Sequence, residues 1–194
     1  MQYYSKLIES FLSWNSKINL SAIRDENQVK IKHIKDSLVV KPILKELNLE
    51  ENKDFVDVGT GSWFPILPLA MEYKKNHFIW IESVNKKVNA VNNIIKALDL
   101  KNVEIIWKRA EDEKVKKFDV LTVRAVSYID KLLKFTYHLV KDWGYFIFYK
   151  LDSPWEYEDL LKNCKRYNLE IIKEYKYTLF ENDVWRVIYI LKKE

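Results

Sequence analysis

Short apolar runs alternate with helix-like segments along the chain from residue 54 onward. The runs are of strand length, and several of the intervening segments place their apolar residues on one helical face. The predicted strands are 55–58, 77–82, 103–107, 118–125 and 145–151. The predicted helices are 65–74, 86–100, 128–140 and 155–168. Such alternation predicts an α/β fold with a mostly parallel sheet covered by helices on both faces.

The two ends of the chain depart from this alternation. Residues 170–180 and 184–192 are β-rich and flank the polar triplet 181–183, which predicts a closing antiparallel hairpin. The first fifty residues contain only helix-like segments, at 3–14, 26–40 and 42–47. We therefore expect a helical extension over residues 1–50 and one compact α/β domain over residues 51–194.

Composition narrows the class of protein. The 194 residues are 48% hydrophobic and 14% aromatic, which favours a packed globular protein. We expect no membrane span, because no run of about 18 apolar residues lacks a charge. The single cysteine, Cys164, cannot form an internal disulfide and has no metal-ligand spacing around it, so we expect a cytoplasmic protein without a metal. The net charge of +5 suits a polyanionic partner, although a lysine-rich composition alone can also produce it.

The stretch FVDVGTGSWF joins a predicted strand to a glycine turn. Gly59 and Gly61 can adopt positive φ and let a ligand approach the backbone. Glu82 ends the next predicted strand, where an acidic side chain can accept hydrogen bonds from both hydroxyls of a ribose. The combination predicts an adenosine-containing cofactor. The alternative is that the glycines merely shape a tight turn and that Glu82 is a solvated strand end.

The turn also discriminates between cofactors. A dinucleotide site needs a third glycine near Phe64, which is absent, and a phosphate-binding P-loop needs a Gly-Lys-Ser/Thr sequence, which is absent too. S-adenosylmethionine carries no phosphate and needs less anion-binding backbone. It is therefore the cofactor that the turn favours.

Four further stretches are more specific than the glycine turn. WNSKINLSAIRDE and HIKDSL precede it, and KRAEDE and FDVLTVRAV follow it. With DVGTGSWFPILPLA and IES-NKK, in this order and spacing, they resemble the RsmG (GidB) family of 16S rRNA guanine-N7 methyltransferases, from Leu12 to Lys150. The resemblance implies a Rossmann-like, class I S-adenosylmethionine-dependent methyltransferase sheet with a C-terminal antiparallel hairpin and an N-terminal helical cap. It also implies a monomer that acts on 16S rRNA or the small ribosomal subunit, without a metal or a membrane.

The resemblance assigns cofactor-binding positions residue by residue. Gly59 and Phe64 match family positions that line the S-adenosylmethionine site, which Gly61 joins as part of the same turn. Glu82 matches the acid at the cofactor ribose. The pair Ala110 and Glu111 matches the positions beside the adenine, where a backbone amide and a side chain can contact the base edge.

Arg124 matches a family arginine near the methyl-transfer region, and we take it as the candidate catalytic residue and a further cofactor neighbour. It can bind a phosphate or guanine O6, or it can form a salt bridge to a nearby carboxylate. Five more positions are candidates to face RNA: His33, Asp36, Ser37, Trp63 and Lys150. The first three belong to the family's His-x-x-Asp-Ser-Leu motif, for which a structural role is the alternative. Among the seven tryptophans, we expect Trp14 and Trp63 to face a cleft, where aromatic rings can stack on unpaired bases.

The chain departs from the family at two positions of the turn. Trp63 and Ile66 stand where the family usually has glycine. A tryptophan resists positive φ and cannot point toward a closely approached cofactor. Its side chain must therefore turn outward, toward the RNA or the N-terminal helices, or cofactor affinity must fall. Two alternatives therefore remain beside the rRNA methyltransferase: an enzyme of the same fold that acts on a small molecule, and a non-catalytic RNA-binding relative whose cofactor loop is degraded by Trp63.

Overall fold

The computed structural model describes residues 2–59, 61–114, 116–124, 127–181 and 183–194. Its centre is a seven-stranded sheet with the strand order β3-β2-β1-β4-β5-β7-β6. The strands are β1 Asp54–Val58, β2 His77–Glu82, β3 Val103–Trp107, β4 Phe118–Arg124, β5 Val140–Leu151, β6 Leu169–Tyr177 and β7 Arg186–Lys193. Neighbours among β1 to β5 pair in parallel, whereas β7 lies antiparallel between β5 and β6. The predicted parallel sheet with an antiparallel hairpin is confirmed.

Helices cover both faces of this sheet. They are α1 Ser5–Ile18, α2 Glu26–Val29, α3 Asp36–Leu38, α4 Lys41–Glu46, α5 Ile66–Glu72, α6 Asn85–Leu98, α7 Ile129–Thr136 and α8 Pro154–Tyr167. A π-helical segment, Lys30–Lys35, joins α2 to α3. In the part of the chain that the structure describes, no helix has the length and apolar character needed to cross a membrane.

Two hydrophobic cores lie on opposite faces of the sheet, because successive strand residues point to opposite sides. In β2, Phe78 and Trp80 face one core, and Ile79 and Ile81 face the other. The first core also receives α1, α4, α5 and α6, so the helices of the first fifty residues share it with the sheet. The second core is closed by α7 and α8.

The start of β5 differs from the predicted boundary. The predicted helix 128–140 ends as α7 at Thr136, and β5 already begins at Val140, before the predicted start. The pairing of β5 with β4 is irregular here, and a Cβ on Gly144 would lie only 2.7 Å from a methyl carbon of Val140. Because Gly144 has no side chain, the backbone can pack closely enough here to form the irregular strand. At the end of β4, residue 125 of the predicted strand lies outside the described residues.

Candidate active site

Two cavities lie beyond the carboxyl ends of the parallel strands, where ligands bind in open α/β sheets. The small cavity has a volume of about 170 Å³. It is lined by Val58, Gly59, Ile81, Glu82, Ser83, Lys108, Arg109, Ala110, Glu111 and Phe135. Four of the predicted cofactor positions, Gly59, Glu82, Ala110 and Glu111, therefore line the same cavity.

The large cleft has a volume of about 790 Å³ and lies next to the small cavity. Its polar wall includes Lys32, His33, Asp36, Ser62, Arg124, Lys131, Lys150, Glu156 and Arg186. Gly59 lines both cavities, so a molecule longer than the small cavity can extend from one into the other. This glycine directly follows β1, the strand at which the order of the sheet reverses between β2 and β4.

Glu82 supplies a buried carboxylate to the small cavity. Its side chain is 5% exposed. Oε1 accepts a hydrogen bond of 2.9 Å from the backbone N–H of Val84, and Oε2 lies 3.8 Å from Nζ of Lys87. Around it, Val58, Ile81 and Phe135 provide apolar surface for a flat ring. This combination of one carboxylate and an apolar lining fits the ribose and base of an adenosine group.

The glycine turn keeps a left-handed backbone although it contains Trp63. The φ angles are +68° at Gly59, +59° at Gly61 and +67° at Trp63. For a tryptophan this conformation costs about 1–2 kcal/mol. The side chain offsets that cost by complete burial, and its ring lies 5.7 Å from the ring of Phe11 in α1. Trp63 thus points away from both cavities and into the core.

Arg124 ends β4 and connects the sheet to the N-terminal helices. Its Nη1 donates to Oδ2 of Asp36 and to the carbonyl of Lys32, both at 3.0 Å. Its Nη2 lies 3.1 Å from Nδ1 of His33 and 3.5 Å from Oγ of Ser62. The side chain is 10% exposed and lines the large cleft. The salt bridge left open by the sequence is therefore formed, and it is formed inside the candidate site.

The partners of Arg124 are themselves buried and bonded. Oδ1 of Asp36 accepts a hydrogen bond of 2.7 Å from the hydroxyl of Tyr177 in β6. Burial, followed by the charge on Arg124, lowers the pKa of His33 to about 3, so the ring is neutral near pH 7. Its Nδ1 then accepts from Arg124, and its Nε2 donates to Oγ of Ser21 at 3.2 Å. The network joins three distant parts of the chain at the wall of the large cleft.

Three predicted site residues are placed differently by the structure. Trp63 and Ser37 are 0% exposed, so neither faces RNA; Oγ of Ser37 donates to the carbonyl of His33 at 2.6 Å. Phe64 is also 0% exposed and lines neither cavity, because its ring stacks at 4.6 Å on the ring of His33. Its place is behind Arg124, whose guanidinium lies 5.6 Å from the ring centre.

The remaining candidates lie near the cavities in different ways. His33 and Asp36 line the large cleft but are nearly buried in the Arg124 network. Lys150 lines the same cleft, donates to the carbonyl of Ser127 and pairs with Oε2 of Glu156 at 3.0 Å. Gly61 shapes the turn without lining either cavity.

Sequence reasoning missed several cleft residues. Lys32, Lys131 and Arg186 line the large cleft, although none of them belongs to a recognisable motif. The signal available was the basic net charge, which does not say where the cations gather. Trp14 was expected at a cleft, but it packs half-buried against the core and lies outside the cleft wall.

The fold places the chain in a known class. It is similar to an S-adenosylmethionine-dependent methyltransferase from Aquifex aeolicus, with a TM-score of 0.63 and 17% identity over 86% of this chain and 93% of that one. It is also similar to precorrin-6y C5,15-methyltransferase from Geobacter metallireducens, with a TM-score of 0.60 and 13% identity over 80% of this chain and 88% of that one. The sheet is thus that of the class I methyltransferases.

Sequence comparison gives the family within this class. The family model for rRNA small subunit methyltransferase G (GidB) matches residues 1–189. Ribosomal RNA small subunit methyltransferase G of Fusobacterium nucleatum is 35% identical over 99% of this chain and 83% of its own length. The enzyme of the same name from a Thermoanaerobacter species is 34% identical over the whole chain and 82% of its own length. The chain belongs to the rRNA small subunit methyltransferase G family, and the match extends beyond the stretch that carries the motifs.

Proposed function

We propose that this protein transfers a methyl group from S-adenosylmethionine to N7 of a guanine in the 16S rRNA of the small ribosomal subunit, in the cytoplasm. One observation carries the proposal: Gly59 lies on the wall of both the small cavity, with its ribose-binding carboxylate, and the large, cation-lined cleft. A cofactor held in the first is then open to a polyanionic substrate held in the second. The names of the family and of its relatives support rRNA as that substrate.

In this proposal, the residues of the small cavity hold the cofactor. Glu82 accepts hydrogen bonds from the ribose, and the apolar residues with the Ala110–Glu111 segment surround the base. When bound, S-adenosylmethionine supplies a methyl group on a positively charged sulfur. Because Trp63 is buried against α1, it leaves the small cavity open, which removes the reason for regarding the cofactor loop as degraded.

The residues of the large cleft align the base and need not move a proton. Guanine N7 carries an accessible lone pair, so its methylation requires no general base. The task is to hold the two reacting atoms in line, about 3–3.5 Å apart, and to exclude water. Arg124 has both terminal nitrogens bonded to protein groups, so we assign it a positioning role: it fixes the cleft wall and adds positive charge to it.

The test is a methyl-transfer assay with labelled S-adenosylmethionine on three substrates: naked 16S rRNA, small subunits from a strain lacking the modification, and a metabolite extract. We expect label in one of the two RNA substrates, released on digestion as 7-methylguanosine and identified by mass spectrometry. Label in the metabolite extract alone would support the small-molecule alternative. Binding of RNA without binding of S-adenosylmethionine in calorimetry would support the non-catalytic one.

Arg124→Lys tests the positioning role in the same assay. It keeps the charge but cannot reproduce the forked contacts to Asp36 and His33. We expect methyl transfer to fall at least tenfold while affinity for S-adenosylmethionine changes less than threefold. Full activity in Arg124→Lys would reduce the arginine to a general positive charge.

A further inference from the structure

Three exposed aromatic residues lie at the large cleft or directly next in sequence to residues that line it. Tyr128 is 63% exposed and lines the cleft. Trp155 is 77% exposed and precedes Glu156, which lines the cleft; Trp185 is 58% exposed and precedes Arg186, which lines it as well. Grouped large apolar side chains at a protein surface mark a binding site, whereas single ones do not.

Hydrogen bonds tie the three segments that carry these aromatic residues to the cleft wall. The carbonyl of Trp185 accepts a hydrogen bond of 2.9 Å from the N–H of Asp152, which follows the cleft residue Leu151. Lys150 is 9% exposed and joins the other two segments, because it donates to the carbonyl of Ser127 and pairs with Glu156. We name Tyr128, Trp155 and Trp185 the aromatic rim.

The first turn of α8 is also fixed locally. Ser153 is the N-cap, and its Oγ accepts a hydrogen bond of 3.3 Å from the N–H of Glu156. Tyr128 directly precedes α7 as the N-cap residue of that helix. The backbone of both rim residues, Tyr128 and Trp155, is thus fixed at a helix start, which lowers the cost of ordering these segments when a ligand binds.

The charge of the same cleft points to the chemistry of the ligand. Lys32, Lys131 and Arg186 line it, and among the described residues neither Lys32 nor Lys131 has a carboxylate at ion-pair distance. Cations beside flat aromatic faces suit a ligand that has negative charges and flat rings. Unpaired nucleotides have both, whereas bases inside a duplex have their faces covered by their neighbours.

We propose that Tyr128, Trp155 and Trp185 form a stacking rim that binds unpaired nucleotides flanking the target base. This inference rests on the proposed rRNA methyltransferase function and adds to it a surface and a substrate form: RNA presented as a single strand at the cleft. The cations contact phosphates, which positions the strand, and the rim stacks on its bases.

The chain offers a matched control in Trp143. It is 66% exposed, similar to the rim residues, and its ring lies 5.2 Å from Nζ of Lys192. Trp143 lies near the start of β5, whereas the cleft is lined by residues 149 to 151 at the end of that strand. Its removal deletes an exposed tryptophan at the opposite end of the sheet.

The experiment measures binding of a fluorescent single-stranded oligoribonucleotide and of a duplex of equal length by anisotropy at fixed salt. We expect Trp155→Ala and Trp185→Ala each to lose at least tenfold in affinity for the single strand and less than twofold for the duplex. Trp155→Phe should recover most of the loss, because a phenyl ring still stacks. Trp143→Ala should bind like the wild type, and the salt dependence should stay unchanged, because no charge is removed.

Two results would overturn the rim: unchanged binding of the single strand, or equal losses on both RNAs. If unchanged binding of the single strand came with lower methylation of assembled subunits, the aromatic residues would contact a protein instead. Wild-type binding of S-adenosylmethionine and methyl transfer, measured in parallel, keep the two proposals apart. Wild type that binds single strands through the rim but methylates no RNA would refute the function alone.

Discussion

The small cavity and the large cleft differ in how the chain builds them. The small cavity is lined by residues between Val58 and Phe135, mostly from the segments that directly follow β1, β2 and β3. The large cleft is lined by residues from Ile23 to Arg186, contributed by the N-terminal segments, the turn after β1, β4, α7, β5, α8, β6 and β7. Local sequence can therefore specify the first, whereas the second exists only once distant parts of the chain have packed together.

The two cavities also differ in their electrostatics. The small cavity centres on one buried carboxylate, Glu82, whose neighbours leave room for a ligand to bond with it. In the large cleft, Arg124 and Asp36 bond mainly to other protein groups, and Tyr177 completes the network. We infer that ligand binding dominates the role of the first set and that structural support of the wall dominates the role of the second.

The largest effect is expected from Asp36→Ala, which breaks the wall of the large cleft. It leaves the guanidinium of Arg124 buried without its carboxylate and removes the acceptor of the Tyr177 hydroxyl. Removing one partner of a buried ion pair costs about 3–5 kcal/mol. The free energy of unfolding, measured in urea, should fall by this amount.

Glu51→Ala is the matched control for that measurement. Glu51 pairs with Lys75 at 2.8 Å, but both side chains are more than half exposed. Its removal should cost no more than about 1 kcal/mol. If Asp36→Ala lowered the free energy of unfolding equally little, the network of Arg124, Asp36 and Tyr177 would not stabilise the wall of the large cleft. The structural role inferred for that wall would then be wrong.

The next effect concerns the small cavity and is measured as binding. Glu82→Gln keeps an oxygen for the N–H of Val84 but removes the charge that ribose hydroxyls would meet. Loss of a charged acceptor costs about 1–3 kcal/mol, or about 5- to 150-fold in affinity for S-adenosylmethionine by calorimetry. Glu104→Ala, an exposed carboxylate in β3, should leave the affinity unchanged. Equal affinity in Glu82→Gln and wild type would remove Glu82 from the cofactor site.

The small cavity is built mainly from local segments and the large cleft from distant ones, which explains which site residues the sequence could predict. Gly59 and Glu82 were predicted because they lie at the ends of strands whose apolar runs are visible in the sequence, whereas Ala110 and Glu111 were assigned only through the resemblance to the family. The strands themselves were found from their apolar runs, with β2 and β3 correct to the residue. Local periodicity therefore located the strands and the turn after β1, and the resemblance to the family was needed for the loop after β3.

The failures have a common physical cause. Trp63 was expected to face either RNA or the N-terminal helices, and the contact that selects the helices is with Phe11, more than fifty residues earlier in the chain. Phe64 was expected at the cofactor site, but its position depends on His33, on which its ring stacks. His33 is in turn placed by the π-helical segment Lys30–Lys35. Contacts of this kind arise from tertiary packing, which no local pattern encodes.

Gly61→Ala tests the backbone conformation of the glycine turn, whereas the other substitutions test side chains of the two cavities. Its φ is +59°, and a Cβ would lie 3.0 Å from Nζ of Lys87, the mobile end of a long side chain that can move aside. The left-handed backbone then sets the cost, about 1–2 kcal/mol of unfolding free energy. Gly61→Asn should recover part of it, because asparagine tolerates this conformation better than alanine. If asparagine were no better than alanine, crowding rather than φ would be the cause.

The smallest effect is a pH dependence that belongs to the large cleft. Burial and then the charge on Arg124 lower the pKa of His33 to about 3 from its ordinary value of 6.5. Between these values the unfolded chain binds a proton that the folded protein excludes, so stability rises with pH through this window and is lost as pH falls below 6.5. One such histidine should lower the free energy of unfolding by about 1 kcal/mol between pH 7 and pH 5.5.

Urea unfolding at the two pH values measures this difference for the wild type and for His33→Gln, whose amide can accept a hydrogen bond from Arg124 but does not titrate. The pH-dependent loss of unfolding free energy should be smaller in His33→Gln by that amount. If wild type and His33→Gln lost equal unfolding free energy, the pKa of His33 would not be lowered in the folded protein. Burial in the wall of the large cleft would then not keep the ring neutral.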